Sequence, residues 1–214
     1  MFRRSVAAAA LSLASAAAPV FATALATPAI AQNAASARRD AAAEAFVATE
    51  ARIALDVLHN DALSMSAKKA QFRQFVDRAA DVPKITRFVL GRYARTVTPQ
   101  QYQAFSAVFR EYANTVYESR LSRYRGEGFR VTGSTVRTPT DVVVDSLVVG
   151  GENNRRAAVS WRLNKDAAGR WRVVDVNVSG VWLAITQQQD FVSTLDNNRG
   201  DINVLIGQLR GQRS

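Results

Sequence analysis

A change of apolar period at Gly126 constrains this chain more than any other feature. Before it, apolar residues recur at three- and four-residue steps; after it they alternate in short runs bounded by turn residues. Helices gathered in one half and hairpin-linked strands in the other specify an α+β fold with an antiparallel sheet, rather than a parallel, doubly wound one.

The helical half reads as four segments. From Arg39 to His59, Phe46, Val47, Ile53, Leu55, Val57 and Leu58 fall at helical spacing. A second helix follows Ser66, read as its N-cap, and carries Phe72, Phe75 and Val76. Asp81-Val82-Pro83 opens a third, with Asp81 as cap and Gly91 near the end. Thr98-Pro99-Gln100-Gln101 is a capping-box pattern with proline at the first helical position. Beyond it Tyr102, Phe105, Phe109, Tyr112 and Val116 line one face of a helix of about seven turns, which Tyr117, Leu121 and Tyr124 widen.

The second half predicts four strands: Gly128 to Val136, Asp141 to Val149, Arg156 to Leu163, and Trp171 to Val178. Turn signals at Thr138-Pro139, Gly150 to Asn154 and Ala168-Gly169 separate them at hairpin length, so the strands form a meander. Alternation puts Val159, Trp161 and Leu163 on one face, and sets Val174, Val176 and Val178 opposite Trp171, Val173, Asp175 and Asn177. An apolar face must be covered, and the long aromatic helix is expected to pack there. Helices over Thr186 to Asp196 and Ile202 to Leu209, the latter capped by Asp201, close the chain. The expected architecture is a curved four-stranded antiparallel sheet against a long helix, a half-cone with an additional helical lobe.

Arg3 and Arg4 followed by an uncharged, alanine-rich run from Val6 to Val20 have the form of a secretory signal peptide. Ala29-Ile30-Ala31 before Gln32 is the expected cleavage site, with Ala24-Leu25-Ala26 as the second choice. Residues 32–214 are then one domain of about 180 residues, enough to build a full core. The net charge of +10 loses the two leader arginines, leaving 26 − 18 = +8. Export argues against nucleic acid as the anionic partner of such a surface and for lipid headgroups or acidic faces of membrane proteins. With no cysteine, the chain has no disulfide, cysteine-ligated metal or thiol nucleophile.

Few residues suggest chemistry. His59, the one histidine, sits at a helix end beside Asn60 and Asp61, where a cation is favoured as a cap. Asp141 and Asp145 share a strand face, which more often marks a solvated side than a carboxylate pair. Gly126, Gly128, Gly150 and Gly151 lie in turns and make no phosphate cradle. No catalytic residue, metal site or cofactor is assigned.

Several segments resemble the MlaC family, also called toluene-tolerance auxiliary proteins. They are Phe88-Val-Leu-Gly-Arg-Tyr93, Thr98-Pro-Gln-Gln101, Phe105 to Phe109-Arg-Glu-Tyr112 and Tyr124-Arg-Gly126. Val159-Ser-Trp-Arg162, Gly169-Arg-Trp-Arg-Val-Val-Asp175, and Gly180-Val-Trp-Leu-Ala-Ile-Thr-Gln187 with Phe191 continue the match, which covers Arg87 to Leu209. The resemblance implies a nuclear-transport-factor-like half-cone that holds acyl tails inside with the headgroup outside. It implies a monomeric periplasmic carrier of phospholipid, working between an outer-membrane lipoprotein/porin complex and an inner-membrane ABC transporter complex with its substrate-binding subunit, and maintaining outer-membrane lipid asymmetry. Hopanoid-associated relatives leave the lipid class open, and a cone-fold isomerase or hydratase is the enzymatic alternative.

On this reading Val89, Tyr93, Phe109, Tyr112, Val144, Val159, Trp161, Val174 and Val176 line the pocket. Burying about 15 methylenes of one tail at roughly 0.8 kcal/mol each gives on the order of 12 kcal/mol before ordering costs, so release needs a partner that opens the cavity. Trp182 stands where the family suggests a small or polar residue and is expected to narrow the pocket or cover its mouth.

Overall fold

The computed structural model of the chain describes residues 38–121, 128–150 and 155–211. The leader and Tyr124 lie outside these residues, and the readings at Val116, Tyr117 and Leu121 fall beyond the last described side chain of their helix. The elements are α1 (Ala41–His59), α2 (Met65–Ala79), α3 (Val82–Val89), a 3-10 turn (Gly91–Arg95), α4 (Pro99–Leu121), β1 (Gly128–Thr138), β2 (Asp141–Gly150), β3 (Arg155–Lys165), β4 (Trp171–Val178), β5 (Val181–Trp182), α5 (Leu183–Asn197) and α6 (Ile202–Gly211). The strands form one antiparallel sheet in the order β1-β2-β3-β4-β5, open at both edges. The two-residue β5 is an addition to the four expected strands.

Local chemistry sets the helix starts. Thr98 Oγ1 accepts from Gln101 N (3.2 Å) while Gln101 Oε1 accepts from Thr98 N (2.9 Å), so the capping box forms as the sequence predicts. Asp81 accepts from Lys84 N (3.1 Å), and Asp201 accepts from Asn203 N (2.9 Å). Ser66 is not the cap of α2. Ser64 is: its hydroxyl accepts from Ala67 N (3.2 Å), and Ser66 lies one residue inside the helix. Two serines flank the start, and only the first has the extended backbone that a cap requires.

Among the described residues, the aromatic helix does not cover the sheet. The long helix that does so is the 19-residue α1, which lies along β1 and β2, while α4 packs on α6 and α3. Polar bonds pin the start of α1 to β1: Val136 N donates to the Arg38 carbonyl (2.9 Å), Asp40 N donates to Ser134 Oγ (2.8 Å), and Ser134 donates to Glu44 (2.7 Å). Its buried face is Ala43, Val47 and Ala51, small enough for the helix to approach Val142, Val144, Leu163 and Trp171 closely. The bulky face of α4 instead needs interdigitating helices. Phe105 and Phe109 stack at 5.6 Å, and Phe191 of α5 meets both edge-on at 5.9 Å. Leu195, Ile202, Leu205, Ile206 and Leu209 complete this helical core.

The faces of β4 also differ from simple alternation. Arg162 pairs with Asp175 and Leu163 with Val173, so a bulge at Val174 sets two residues of β4 against one of β3. Val176 and Val178, which pair with Trp161 and Val159, therefore share a face with Val173 and Trp171 instead of opposing it. A second register shift, between Val131 and Gly133, does the same for β1.

Candidate functional site

Cross-strand partners share a face, so the register defines an apolar wall of four rows. Val136, Val142, Leu163 and Val173 form the first; Ser134, Val144, Trp161 and Val176 the second. Val131, Ser146, Val159 and Val178 form the third, and Phe129, Val148 and Ala157 the last. Near the first rows α1 seals the wall. In the last row all three residues are half-buried. Ala51 is the last buried residue of α1, and Ile53, Leu55, Val57 and Leu58 beyond it are half-buried, as are Phe75 and Val76 of α2. The wall therefore continues past the stretch that α1 seals.

The polar atoms on this wall satisfy one another. Trp161 Nε1 donates to Ser146 Oγ (2.9 Å), and Ser146 donates to the Val159 carbonyl (2.8 Å). Phe129 meets the Trp161 ring edge-on at 6.2 Å. A surface of methyls and rings whose hydroxyl and indole N–H are already paired presents hydrocarbon to whatever lies against it.

Carboxylates lie on the other face. Burial alone would raise the Asp141 carboxyl, but the Arg162 guanidinium, bonded at 2.9 and 3.1 Å, holds it below its usual value with help from Arg137. Asp145 accepts from Ser160 (2.6 Å). Asp175 is buried, and that burial pushes its pKa up even though the N–H groups of Ala184 and Val176, both at 2.8 Å, pull the other way. The paired acids thus serve the sheet's second layer. His59 lies in the last turn of α1, and among the described residues no group of three or more His, Cys, Asp or Glu side chains is arranged to hold a metal.

The nine residues that the sequence nominates divide between the two cores. Val144, Val159, Trp161 and Val176 stand together on the wall. Val174 is the bulge residue and lies outside the row register. Val89 and Phe109 are buried in the helical core, and Tyr93 and Tyr112 pack at its margin, where Tyr93 donates to Asp196 (2.6 Å) and Tyr112 to Gln187 (3.2 Å). The same wall also holds Phe129, Val131, Ser146, Val148, Ala157 and Val178, which the sequence does not nominate. The alternation Val142, Val144, Ser146, Val148 signals the β2 members, but a serine interrupts it. Trp182 pairs with Asn177, on the face away from Trp161, and so does not narrow the space over the wall. A cleft of about 250 Å³ opens elsewhere, between α4, α5 and α6, with Gln187, Asp190, Thr194 and Gln208 at a polar rim.

An open antiparallel sheet with one apolar face, a helix sealing part of it and a separate helical core define an α+β half-cone of the binding-protein class rather than a closed barrel. The MlaC family model, described as MlaC protein, matches residues 49–211, and the chain belongs to that family. The toluene tolerance protein Ttg2D of Pseudomonas putida is 25% identical over 121 residues, 56% of this chain and 55% of that protein, so the chain spans about half the length of this curated relative. A phospholipid-binding protein from Ralstonia solanacearum, solved in complex with a phospholipid, is similar in structure with a TM-score of 0.70 and 28% identity. That match covers 81% of this chain and 97% of the other.

Proposed function

We propose that the chain is a periplasmic phospholipid carrier that lays acyl tails against the sheet wall and leaves the headgroup outside. The observation that carries this reading is the apolar wall extending past Ala51, its polar atoms internally paired, in a fold shared with a phospholipid-bound relative. The lining residues are Val159, Trp161 and Val176 together with Phe129, Val131, Val148 and Val178, with Val144 behind them in the part that α1 seals. The chain is exported by a leader cleaved after Ala31 and works as a monomer without a cofactor or catalytic step. It passes lipid between an outer-membrane lipoprotein/porin complex and an inner-membrane ABC transporter, maintaining outer-membrane asymmetry.

Native mass spectrometry of the purified mature protein, followed by lipid extraction, tests the reading. A stoichiometric phospholipid is expected, and a stoichiometric hopanoid would move the cargo to that class. An apo mass unchanged after incubation with lipid vesicles would overturn the carrier function. The same spectrum gives the intact mass, which is expected to begin at Gln32.

A further inference from the structure

Two of the four exposed large apolar side chains among the described residues stand where α3 meets the start of α5. Phe88 is 38% exposed at the end of α3, and Ile185 is 36% exposed in the first turn of α5. Gln188, one turn after Ile185 on the same helix face, donates to the Phe88 carbonyl (2.6 Å), which joins the two elements at this point. Val181 follows the tight turn at Ser179 and Gly180, both at positive φ, and pairs with Val178, so it belongs to the wall face instead. No charged residue occurs from Val176 through Gln189.

The opposing segment has the complementary property. From Val82 through Arg110 the chain carries Lys84, Arg87, Arg92, Arg95 and Arg110 and no acid. Arg92 pairs with Asp196 and Arg110 with Asp77. Arg87 spends itself on a neutral ring, stacking over Tyr102 at 5.0 Å, and Lys84 donates to the neutral Asn164. Among the described residues neither makes an ion pair, and Arg95 is exposed at the end of the 3-10 turn that follows α3. An apolar patch with adjacent cations matches the interface of an anionic bilayer: hydrocarbon below, phosphate above.

We infer that Phe88 and Ile185 form a membrane-contact patch by which the protein rests transiently on anionic phospholipid surfaces, with Lys84, Arg87 and Arg95 at the headgroup level. This surface is separate from the apolar wall, and it adds to the carrier function a direct, protein-independent encounter with the bilayer. An acidic protein face would meet the cations as well but gives no reason for an uncharged apolar patch.

The test is flotation of the purified mature protein with vesicles of phosphatidylglycerol and phosphatidylethanolamine, and separately with phosphatidylcholine vesicles. The wild type is expected to float with the anionic vesicles, to lose that association as salt is raised, and to bind the neutral ones about tenfold less. The double variant F88S/I185S is expected to lose about tenfold in vesicle association, and K84E/R87E/R95E a similar factor. All five positions are exposed, so circular dichroism should be unchanged, and lipid carried through purification, read by native mass spectrometry, should also be unchanged. Equal flotation of wild type and the serine variant, or no flotation of the wild type, overturns the membrane patch. Loss of carried lipid in the wild type would instead count against the carrier function and leave the flotation result readable.

Discussion

Replacing Asp175 separates a cap supplied across the fold from one supplied locally. The N-cap of α5 is Trp182, which has no side-chain acceptor, so the first amides of the helix look elsewhere. Asp175, 6% exposed on β4, accepts from Ala184 N and from its neighbour Val176 N, each at 2.8 Å. Asp175→Ala removes both bonds. Loss of a cap costs about 1–2 kcal/mol, and an orphaned buried amide adds about 1–3, so a total of about 2–5 kcal/mol is expected. Asp175→Asn keeps the Oδ1 acceptor without the charge that burial disfavours, so it should cost under about 1 kcal/mol.

The pH dependence has a definite sign. Because the folded pKa of Asp175 is raised, its favourable contribution is full below the unfolded carboxyl value and is lost as pH rises through the folded one. The asparagine variant lacks that loss, so its deficit relative to wild type should shrink from pH 4 toward pH 7. Urea unfolding followed by circular dichroism at both pH values reads these quantities. Equal losses for alanine and asparagine, or an alanine loss under about 0.5 kcal/mol, would refute the capping role.

Other positions give sharper local tests. Val144 is fully buried, so Val144→Glu should unfold the protein, whereas Val148→Glu, in the half-buried last row, should leave it folded and lower the lipid recovered by extraction; an unchanged lipid load in the folded variant would count against the wall. Ser146→Ala leaves the Trp161 indole N–H without its acceptor and should cost about 1–3 kcal/mol in urea unfolding. Gly200 has φ +78°, and a Cβ there would stand 2.9 Å from the Tyr93 ring, which Asp196 holds in place; Gly200→Ala should cost at least the left-handed penalty of about 1–2 kcal/mol and lower the thermal midpoint accordingly. Asp166 is held at a pKa of about 2, first by the Arg170 amide, against a burial effect in the other direction, and then by Arg172, the Arg170 side chain and the Ala168 amide. Its contribution is full above the unfolded value and is lost as pH falls through about 2, so an acid titration of stability should be flatter in Asp166→Asn at its low end.

What could be read without a structure was local. Element type follows from the apolar period, and helix starts from Thr98, Asp81 and Asp201, because a cap bonds within three residues of itself. Ser64 and Ser66 show the limit of that reading: side-chain chemistry alone does not choose between two serines when backbone angle decides. Family membership was legible as well, since it rests on the order of short segments along the chain.

The tertiary structure decided which surfaces meet. Both α1 and α4 are amphipathic, and the sequence does not say which one reaches the sheet; Ala43, Val47 and Ala51 fit it closely, while Phe105 and Phe109 need the rings and leucines of α5 and α6. The bulge at Val174 reversed the inferred faces of β4, because one inserted residue breaks a period of two without changing composition. Four of the nine nominated residues, Val89, Tyr93, Phe109 and Tyr112, belong to the helical core, because their elements pack mainly on helices and not on the sheet wall. Burial on a helix is a property of its partner, whereas the sequence by itself determines only that a face is apolar.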